Sequence, residues 1–459
     1  MVRIFKHYIP VSLVVLGVLE TIIFFSAVPI ARFLNPHDSN QWQGFFYTEF
    51  VFSLVVILTM AASGLYTRQI RDNFKDVLFR VILVLFIVFF LMSFLFYLQP
   101  ALFTARTTFV YALMVLGGTL LTTRTSLFFI VDQEYFKKRI IVYGVGKKAF
   151  HMNDLRRKSD KRNFKLLGFI PISGEEILVD QNEVLDSIDS MVDFVETNNV
   201  DEIIVAIDDR RKNFPVDEVL ECKVNGTDVL DISTFFERQT GRIKLNSLHP
   251  SNLIFSDGFI KGGVDQYLKR AFDISASMIL LLFTWPIMLL TALAIKIESG
   301  FKGTVFYKQT RVGLYNKNFE VIKFRSMTMD AEKNGAQWAQ EVDPRVTRVG
   351  NIIRKYRIDE LPQLFNVLNG EMSFVGPRPE RPEFVTDLSE KIKYYEIRHF
   401  VKPGITGWAQ ICYPYGATEH DTRNKLEYDL YYMKNYSTFL DIMILLQTIQ
   451  VVVWRQGAR

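Results

Sequence analysis

The sequence predicts a membrane protein of mixed α and α/β class, in which membrane helices carry two water-soluble domains. Of its 459 residues, 49% are hydrophobic, and many of these cluster in long segments. Four such segments lie within the first 130 residues. Each could cross a bilayer as a helix of about 20 residues. Alternating strands and helices follow and predict a Rossmann-like domain. A mostly helical domain with a re-entrant membrane helix completes the predicted chain.

The four N-terminal segments are predicted transmembrane helices, and residues 1–135 form their domain. The segments are residues 8–30, 45–66, 80–102 and 107–130. The loops and ends on one side of the bilayer carry Arg3, Lys6, Arg68, Arg71, Lys75, Arg80, Lys137, Lys138 and Arg139. The two loops on the other side carry Arg32 and Arg106. The positive-inside rule therefore places the N-terminus and both soluble domains in the cytoplasm.

Charge and cysteine content give no sign of nucleic-acid binding, a cysteine metal site or disulfide bonds. The chain has 54 basic and 49 acidic residues, and its net charge of +5 indicates no nucleic-acid partner. Cys222 and Cys412 lie far apart, without metal-ligand spacing or a disulfide framework. This agrees with soluble domains in a reducing cytosol. The four spans carry no site of their own, which suggests subunit contacts in a homo-oligomer.

Residues 136–245 are predicted to form the Rossmann-like domain. A strand at 139–143 precedes the sequence GVGKKA at 144–149, the G-x-G-x-x-A form of a dinucleotide-binding loop. Further strands are expected at 166–170 and 203–207, with a helix over 184–198 between them. The acidic residue that would bind a ribose about 20 positions later is missing. The loop therefore either binds a regulatory ligand or serves to pack a helix tightly on a strand.

A fifth apolar segment at residues 274–297 has basic residues at both ends. Lys269 and Arg270 precede it, and Lys296 lies at its end. Both ends therefore favour the cytoplasmic side, and Pro286 lies at the centre, where it disrupts a helix. We predict a re-entrant helix broken at Pro286, with a kinked span as the alternative. The flanking basic residues would bind anionic lipid headgroups.

Two adjacent carboxylates, Asp359 and Glu360, are the most informative chemical feature of the chain. Together with nearby arginines they indicate a phosphate site, because one carboxylate can attack phosphorus while the other holds a hard metal ion. Arg354 lies shortly before them, and Arg378 is held between two prolines. Both arginines could stabilise charge on phosphoryl oxygens. No histidine is expected as general base, and His399 is the nearest candidate.

Residues 268–459 carry a dense series of motifs. They are LKRAFDI at 268–274, GTVFYKQTRVG at 303–313, KFRSM at 323–327, RIDELPQL at 357–364, MSFVGPRP at 372–379 and KPGITGWAQ at 402–410. The series closely resembles the bacterial sugar transferase family, the polyprenol-phosphate hexose-1-phosphate transferases. The N-terminal half resembles its larger, four-span members. The stretches at 235–242 and 253–259 look like the exopolysaccharide-associated branch. Residues 246–267 are then a linker to a catalytic domain at 268–459.

The resemblance implies a phosphotransferase of the bacterial inner (cytoplasmic) membrane. It implies transfer of a sugar 1-phosphate from a UDP-sugar to undecaprenyl phosphate and release of UMP. Glucose or galactose is the expected sugar, with an N-acetylated sugar as the alternative. Asp359 would form an aspartyl-phosphosugar, and Glu360 would bind Mg²⁺. Substrate contacts are expected from Lys323, Arg325, Arg311, Pro377, Pro379, Asp429 and Asp441. The reaction would begin exopolysaccharide, capsule or O-antigen synthesis.

One departure from the family and one alternative function accompany this prediction. The family commonly has a serine two residues before the aspartate, where this chain has Arg357. We expect this arginine to add positive charge at the edge of the site. The alternative function is a membrane scaffold or sensor of polysaccharide synthesis, with a regulatory ligand in the α/β domain. Such a lapsed enzyme should have lost Asp359, Glu360 or Arg378, and all three are present.

Overall fold

The structure is a computed structural model of the chain. It describes residues 2–4, 7–35, 45–66, 74–102, 104–130, 137–155, 158–161, 163–172, 174–185, 188, 190–208, 214–245, 258–259, 263–331, 343–413, 416 and 418–454. The chain forms two compact units, one of residues 1–2 and 8–248 and one of residues 3–7 and 249–459. Most of the predicted linker at 246–267 lies outside the described residues, as do Lys6, Arg68 and Arg71.

The N-terminal helices coincide with the four predicted segments. After two short strands, β1 (Val2–Ile4) and β2 (His7–Ile9), the helices are α1 (Val11–Leu34), α2 (Phe45–Ala62), α3 (Phe74–Leu98) and α4 (Arg106–Ile130). They pack around a shared apolar core that includes Phe24, Phe52 and Leu116. Two buried ion pairs join them, Arg32 with Glu49 at 2.6 Å and Arg124 with Glu20 at 2.8 Å.

Within the described residues, three helices are long and apolar enough to cross a membrane. They are Leu13–Leu34, Phe74–Leu98 and Gly263–Glu298, and α2 contributes a shorter apolar helix. These helices fit a membrane protein. Four N-terminal spans remain a prediction, because two of the four helices fall outside that set.

The predicted parallel α/β arrangement is confirmed in the first unit. Its sheet contains β3 (Lys138–Tyr143), β4 (Phe164–Ile170), β5 (Glu202–Val205) and β6 (Asp228–Asp231), all parallel and in the order β4-β3-β5-β6. Two very short helices follow β3, α5 (Lys147–Phe150) and α6 (Lys158–Lys161). Longer helices are α7 (Met191–Thr197), α8 (Val216–Val224) and α9 (Ile232–Thr240). The helix predicted over 184–198 is therefore shorter than expected.

Alternation along β3 gives the sheet two buried faces. Ile140 and Val142 pack in one core with Phe235 of α9. Ile141 packs on the opposite face with residues of α7 and α8, including Cys222. Successive side chains of a strand point to opposite faces, so a continuous apolar strand needs helices on both sides.

In the second unit, the predicted break at Pro286 is wrong. Helix α10 runs without interruption from Gly263 to Glu298 and contains Pro286. Proline removes one backbone donor, while the remaining hydrogen bonds of an apolar helix have no better partners in an apolar environment. Keeping the helix intact is therefore the favourable solution.

Helix α10 packs on its own unit along one stripe. The buried residues of this stripe are Lys269, Asp273, Ser277, Met288, Thr291 and Ile295. Near its start, Asp273 accepts hydrogen bonds from the Ser373 hydroxyl and the Phe374 N–H, both at 2.9 Å. At its end, Glu298 accepts the N–H of Arg348 at 2.8 Å. Both ends of the apolar helix therefore bind the same unit.

The predicted headgroup contact of Lys269 is wrong in this structure, and Arg270 also has partners within its own unit. The Lys269 ammonium is buried and pairs with Asp441 at 2.7 Å. The Arg270 guanidinium donates to the carbonyl oxygens of Val367 and Leu368, at 2.6 and 2.7 Å. An ammonium beside a buried carboxylate and a guanidinium at a helix C-terminus are both more favourably placed than at a lipid surface.

The rest of the second unit is mostly helical, as predicted. A hairpin of β7 (Phe306–Val312) and β8 (Asn318–Phe324) precedes α11 (Arg348–Lys355) and α12 (Gln363–Asn369). Strand β9 (Ser373–Val375) pairs in parallel with β10 (Gly404–Thr406), on either side of α13 (Pro382–Lys391). The last helices are α14 (Trp408–Cys412), α15 (Glu419–Lys434) and α16 (Thr438–Trp454).

Candidate active site

The adjacent carboxylates lie on a short 3₁₀ turn, Ile358–Glu360, between α11 and α12. Arg357 precedes the turn in the left-handed region, with φ 56° and ψ 22°, and redirects the chain after α11. Ile358 and Leu361 pack into an apolar cluster with Phe324. Apolar residues on both sides of the dyad thus fix the turn, and Asp359 and Glu360 are held between them.

Glu360 is surrounded by three cationic side chains. Its Oε1 lies 2.9 Å from Nη2 of Arg378 and 3.5 Å from Nζ of Lys323. Its Oε2 lies 3.3 Å from Nη1 of Arg357. Burial alone would raise the pKa of Glu360, but the charges of Arg378, Lys323 and Arg357 hold that pKa well below its usual range. Glu360 is therefore ionised at neutral pH.

Asp359 has the opposite electrostatic balance. Burial and the neighbouring charge of Glu360 raise its pKa to about 6, although Lys323, Arg354 and Arg378 oppose the shift. Among the described residues, none forms a hydrogen bond or ion pair with its carboxylate. Two adjacent carboxylates whose pKa values are driven apart commonly take different chemical roles. Asp359 is the one with a free, more basic oxygen.

The segment that carries Arg378 is fixed from two sides. The Arg311 guanidinium donates to the carbonyl oxygen of Pro379 at 3.1 Å and to Gln309 at 2.6 Å. The Pro377 carbonyl oxygen accepts the Gly404 N–H at 2.9 Å. In this structure Arg311 therefore supports the segment around Arg378, and the described residues show no hydrogen bond or ion pair between Arg311 and the dyad.

A buried ion pair holds the backbone of Arg378. The Arg398 guanidinium pairs with Asp429 at 2.9 Å and donates to the carbonyl oxygen of Arg378, also at 2.9 Å. It also donates to the Tyr395 hydroxyl at 2.8 Å. Burial raises the pKa of Asp429 to about 6, against the opposing charge of Arg398. Asp429 thus acts through Arg398 on the position of Arg378.

Arg398 was missed at the level of the sequence, and local pattern gives no signal for it. Its partners lie 20 and 31 positions away, at Arg378 and Asp429.

The remaining predicted residues divide into near and distant ones. Arg354 lies at the end of α11, and its charge acts on Asp359. The described residues show no hydrogen bond or ion pair between Arg325 and the dyad, and the Arg325 guanidinium contacts the sulfur of Met329.

Asp441 binds Lys269 and the Tyr432 hydroxyl, at 2.7 and 2.8 Å. Burial lowers the pKa of His399 to about 4, which makes it a neutral imidazole and a weak base.

The side chains around the dyad limit which metal site could form there. No group of three or more His, Cys, Asp and Glu side chains in the described ranges could hold an ion. An ion here must take most ligands from substrate phosphates and water, as Mg²⁺ does when one or two carboxylates hold it. Both Glu360 oxygens already face cations, so the ion would share them.

Two family models match the chain. A model described as bacterial sugar transferase matches residues 264–455, and a model described as CoA-binding domain matches residues 61–221. The first match contains the dyad and every residue placed around it.

Several curated relatives are similar to the chain over different lengths. A UDP-glucose:undecaprenyl-phosphate glucose-1-phosphate transferase of Klebsiella pneumoniae is 30% identical over 446 residues, which is 94% of this chain and 93% of the relative. The UDP-N-acetylgalactosamine-undecaprenyl-phosphate N-acetylgalactosaminephosphotransferase of Aeromonas hydrophila is 46% identical over 238 residues. The undecaprenyl-phosphate glucose phosphotransferase of Komagataeibacter xylinus is 46% identical over 200 residues.

Coverage of the last two relatives is partial. The match includes 52% of this chain and 55% of the Aeromonas protein. It includes 42% of this chain and 37% of the Komagataeibacter protein. The strongest identity therefore lies in about half of the chain or less.

Proposed function

Because this chain belongs to the bacterial sugar transferase family, we propose that it transfers a sugar 1-phosphate from a UDP-sugar to undecaprenyl phosphate and releases UMP. The observation that carries the proposal is the contrast within the dyad. Asp359 has an unpartnered, basic carboxylate, and Glu360 beside it is held by Arg378, Lys323 and Arg357. This is the arrangement expected for a carboxylate nucleophile in a phosphate-binding pocket.

The first step forms a covalent enzyme. A carboxylate oxygen of Asp359 attacks the phosphorus that bears the sugar, and the bond from this phosphorus to the bridging oxygen breaks. UMP leaves with that oxygen and its electron pair. Lys323, Arg354 and Arg378 lie around the dyad and can stabilise the charge on the phosphoryl oxygens.

The second step transfers the phosphosugar to the lipid and frees Asp359. A phosphate oxygen of undecaprenyl phosphate attacks the same phosphorus, and the bond to Asp359 breaks. The product is an undecaprenyl diphosphate sugar, and the Asp359 carboxylate is regenerated. One phosphoryl pocket serves both steps, and neither needs a histidine as base, in agreement with the low basicity of His399.

We assign the metal site to Glu360, within the donor set described above. A bound Mg²⁺ would neutralise charge on the diphosphate. The cationic side chains around Glu360 would then turn part of their hydrogen bonding toward substrate oxygens. Arg378 is suited to this change because its backbone is fixed by Arg398 while its side chain is 34% exposed.

The site should lie at the cytoplasmic face of the bacterial inner membrane. Helix α10 presents an exposed apolar surface that includes Leu282, Phe283 and Trp285. Both of its ends bind the same unit, which supports a re-entrant helix despite its continuous hydrogen bonding. A lipid phosphate and a soluble nucleotide sugar could then meet at one interface.

The sugar is proposed as a hexose. Their names give glucose for Klebsiella and Komagataeibacter and N-acetylgalactosamine for Aeromonas. Glucose or galactose remains our expectation, and N-acetylgalactosamine is the competing donor. The reaction would be the first membrane step of exopolysaccharide, capsule or O-antigen synthesis.

The test is UMP release by purified protein with Mg²⁺, undecaprenyl phosphate and UDP-glucose, UDP-galactose or UDP-N-acetylgalactosamine. We expect UMP from one donor and no turnover from Asp359→Asn, because an amide cannot form the intermediate. The matched control is Asp387→Asn, which changes an exposed carboxylate paired with Lys391 on α13 and should leave turnover intact.

Two results would contradict different parts of the proposal. Turnover by folded Asp359→Asn would remove the covalent route while leaving the transfer reaction in place. No UMP from any of the three donors, with folded wild-type protein, would contradict the reaction with these UDP-sugars.

A further inference from the structure

The glycine loop after β3 in the α/β domain has backbone donors that are already occupied. In a dinucleotide or CoA site built on such a loop, N–H groups at the start of the following helix bind the phosphates. Here the N–H groups of Lys147 and Lys148 donate to the two carboxylate oxygens of Asp208, at 2.8 and 2.9 Å. The Val145 N–H donates to Glu175 at 3.1 Å.

The two carboxylates form one network with the loop. The Asp208 N–H donates to the other oxygen of Glu175 at 2.9 Å. The Lys148 ammonium donates to the Ile207 carbonyl oxygen at 2.7 Å. Asp208 follows β5, which pairs with β3, so the network joins the ends of neighbouring strands.

Gly146 lets the loop backbone lie very close to Asp208. A side chain at this position would collide with the Asp208 carboxylate. In nucleotide-binding loops the corresponding glycine lets the backbone approach a pyrophosphate. In this chain the same close approach is made to an internal carboxylate.

We propose that this loop binds Asp208 and Glu175 in place of a phosphate, and that the domain takes neither CoA nor a dinucleotide there. An incoming pyrophosphate would meet two carboxylates of its own charge and find the donors of Val145, Lys147 and Lys148 taken. The missing ribose-binding acid agrees with this assignment. The description of the matching family model as CoA-binding therefore does not fit the residues of this loop.

The test is amide hydrogen exchange of residues 144–148 in the full-length protein in lipid nanodiscs. In the wild type, millimolar CoA or NAD⁺ should leave exchange in this loop unchanged. In Glu175→Ala/Asp208→Ala, exchange at Lys147 and Lys148 should accelerate about tenfold or more, as loss of a hydrogen bond to a charged acceptor predicts. Inorganic phosphate should then slow it again, because the freed donors can bind an anion.

Glu176→Ala is the matched control, since it removes an exposed carboxylate next to Glu175 and should change nothing in the loop. Saturable protection of the wild-type loop by CoA or NAD⁺ would overturn the proposal. Unchanged exchange in the double variant, or no response of that variant to phosphate, would also overturn it. If the double variant does not fold, Asp208→Asn keeps one acceptor oxygen and should accelerate exchange at one of the two lysines, and acceleration at neither would overturn the proposal.

Discussion

At the scale of single residues, surroundings assign different roles to two adjacent acids. Glu360 is 8% exposed and faces Arg378, Lys323 and Arg357, so its negative charge is stabilised. Asp359 is left without such a partner among the described residues and bears the repulsion of Glu360. A carboxylate that is less stabilised as an anion is the better nucleophile. Arg357, the departure from the family pattern, contributes to this difference by binding Glu360.

The pH dependence of the first half-reaction should report Asp359. Burial and Glu360 raise the pKa of Asp359 to about 6, and the reactive form is the deprotonated one. The rate of UMP formation should therefore rise tenfold per pH unit below about 6 and become constant above about 7. The measurement is single-turnover UMP release from UDP-sugar without the lipid acceptor, because the lipid phosphate titrates in the same range.

The control for this profile is His399→Gln. Burial lowers the pKa of His399 to about 4, so its replacement should leave the inflection near 6 in place. A flat profile between pH 5 and 8, or an inflection that disappears in the histidine variant, would show that Asp359 is not the titrating nucleophile.

At the scale of elements, ion pairs between distant segments set the geometry. The Arg398–Asp429 pair joins a 3₁₀ turn, Tyr395–Phe400, to α15 and holds the backbone of Arg378. The Lys269–Asp441 pair joins α10 to α16. Removing one member of a buried pair leaves an unpaired charge, which typically destabilises by about 3–5 kcal/mol. The ion pair with Lys269 therefore explains the presence of Asp441 without a contact to substrate.

We expect Asp429→Asn to act on catalysis through position. Loss of its charge loosens Arg398 and with it the backbone of Arg378, and a misplacement of about 1 Å can lower a rate about 10²-fold. The value of kcat should fall more than KM rises. The pH inflection near 6 should persist, because burial and the charge of Glu360, the main causes of the raised pKa of Asp359, are unchanged. Steady-state UMP release at a pH above the inflection measures kcat and KM, and single-turnover release without the lipid acceptor across pH measures the inflection.

Asp421→Asn is the control on the same helix. Asp421 is the N3 residue of the capping box of α15, whose N-cap is Thr418, so its replacement should lower stability without changing kcat. If Asp429→Asn lowers thermal stability by a similar amount but leaves kcat unchanged, Asp429 has no positioning role.

At the scale of the whole molecule, the decisive question is which side of the membrane each end of α10 occupies. The buried stripe of α10 contacts its unit near both ends, and its other side exposes large apolar residues. A helix of this kind can be held against a protein surface while lipid covers its outer face. Both ends should then be cytoplasmic.

Cysteine labelling should show this directly. In a chain with Cys222 and Cys412 replaced by serine, Tyr267→Cys and Lys302→Cys should both react with a membrane-impermeant maleimide in inverted vesicles and not in spheroplasts. Ser39→Cys, in the loop predicted to face the other side, should react in spheroplasts. Labelling of Tyr267→Cys and Lys302→Cys from opposite sides would instead establish a kinked span.

The sequence alone determined the properties that depend on composition and local order. Three features are properties of adjacent residues. They are the apolar segments of membrane length, the strand and glycine loop at 139–149, and the Asp359-Glu360 pair with Arg378 between prolines. They predicted the α and α/β class, the parallel sheet and the family. Hydrophobic length and side-chain chemistry are sufficient for such features, because neither needs knowledge of a distant partner.

Tertiary structure decided which charges meet. Three contacts join residues that are far apart in the chain. Arg398 binds the backbone of Arg378, Asp441 pairs with Lys269, and Asp208 accepts hydrogen bonds from the glycine loop. Electrostatic interaction depends on distance in space and on burial, which local sequence does not contain. The same reason explains why Lys269 and Arg270 bind groups of their own unit. The continuity of α10 through Pro286 was likewise not predicted from the local sequence.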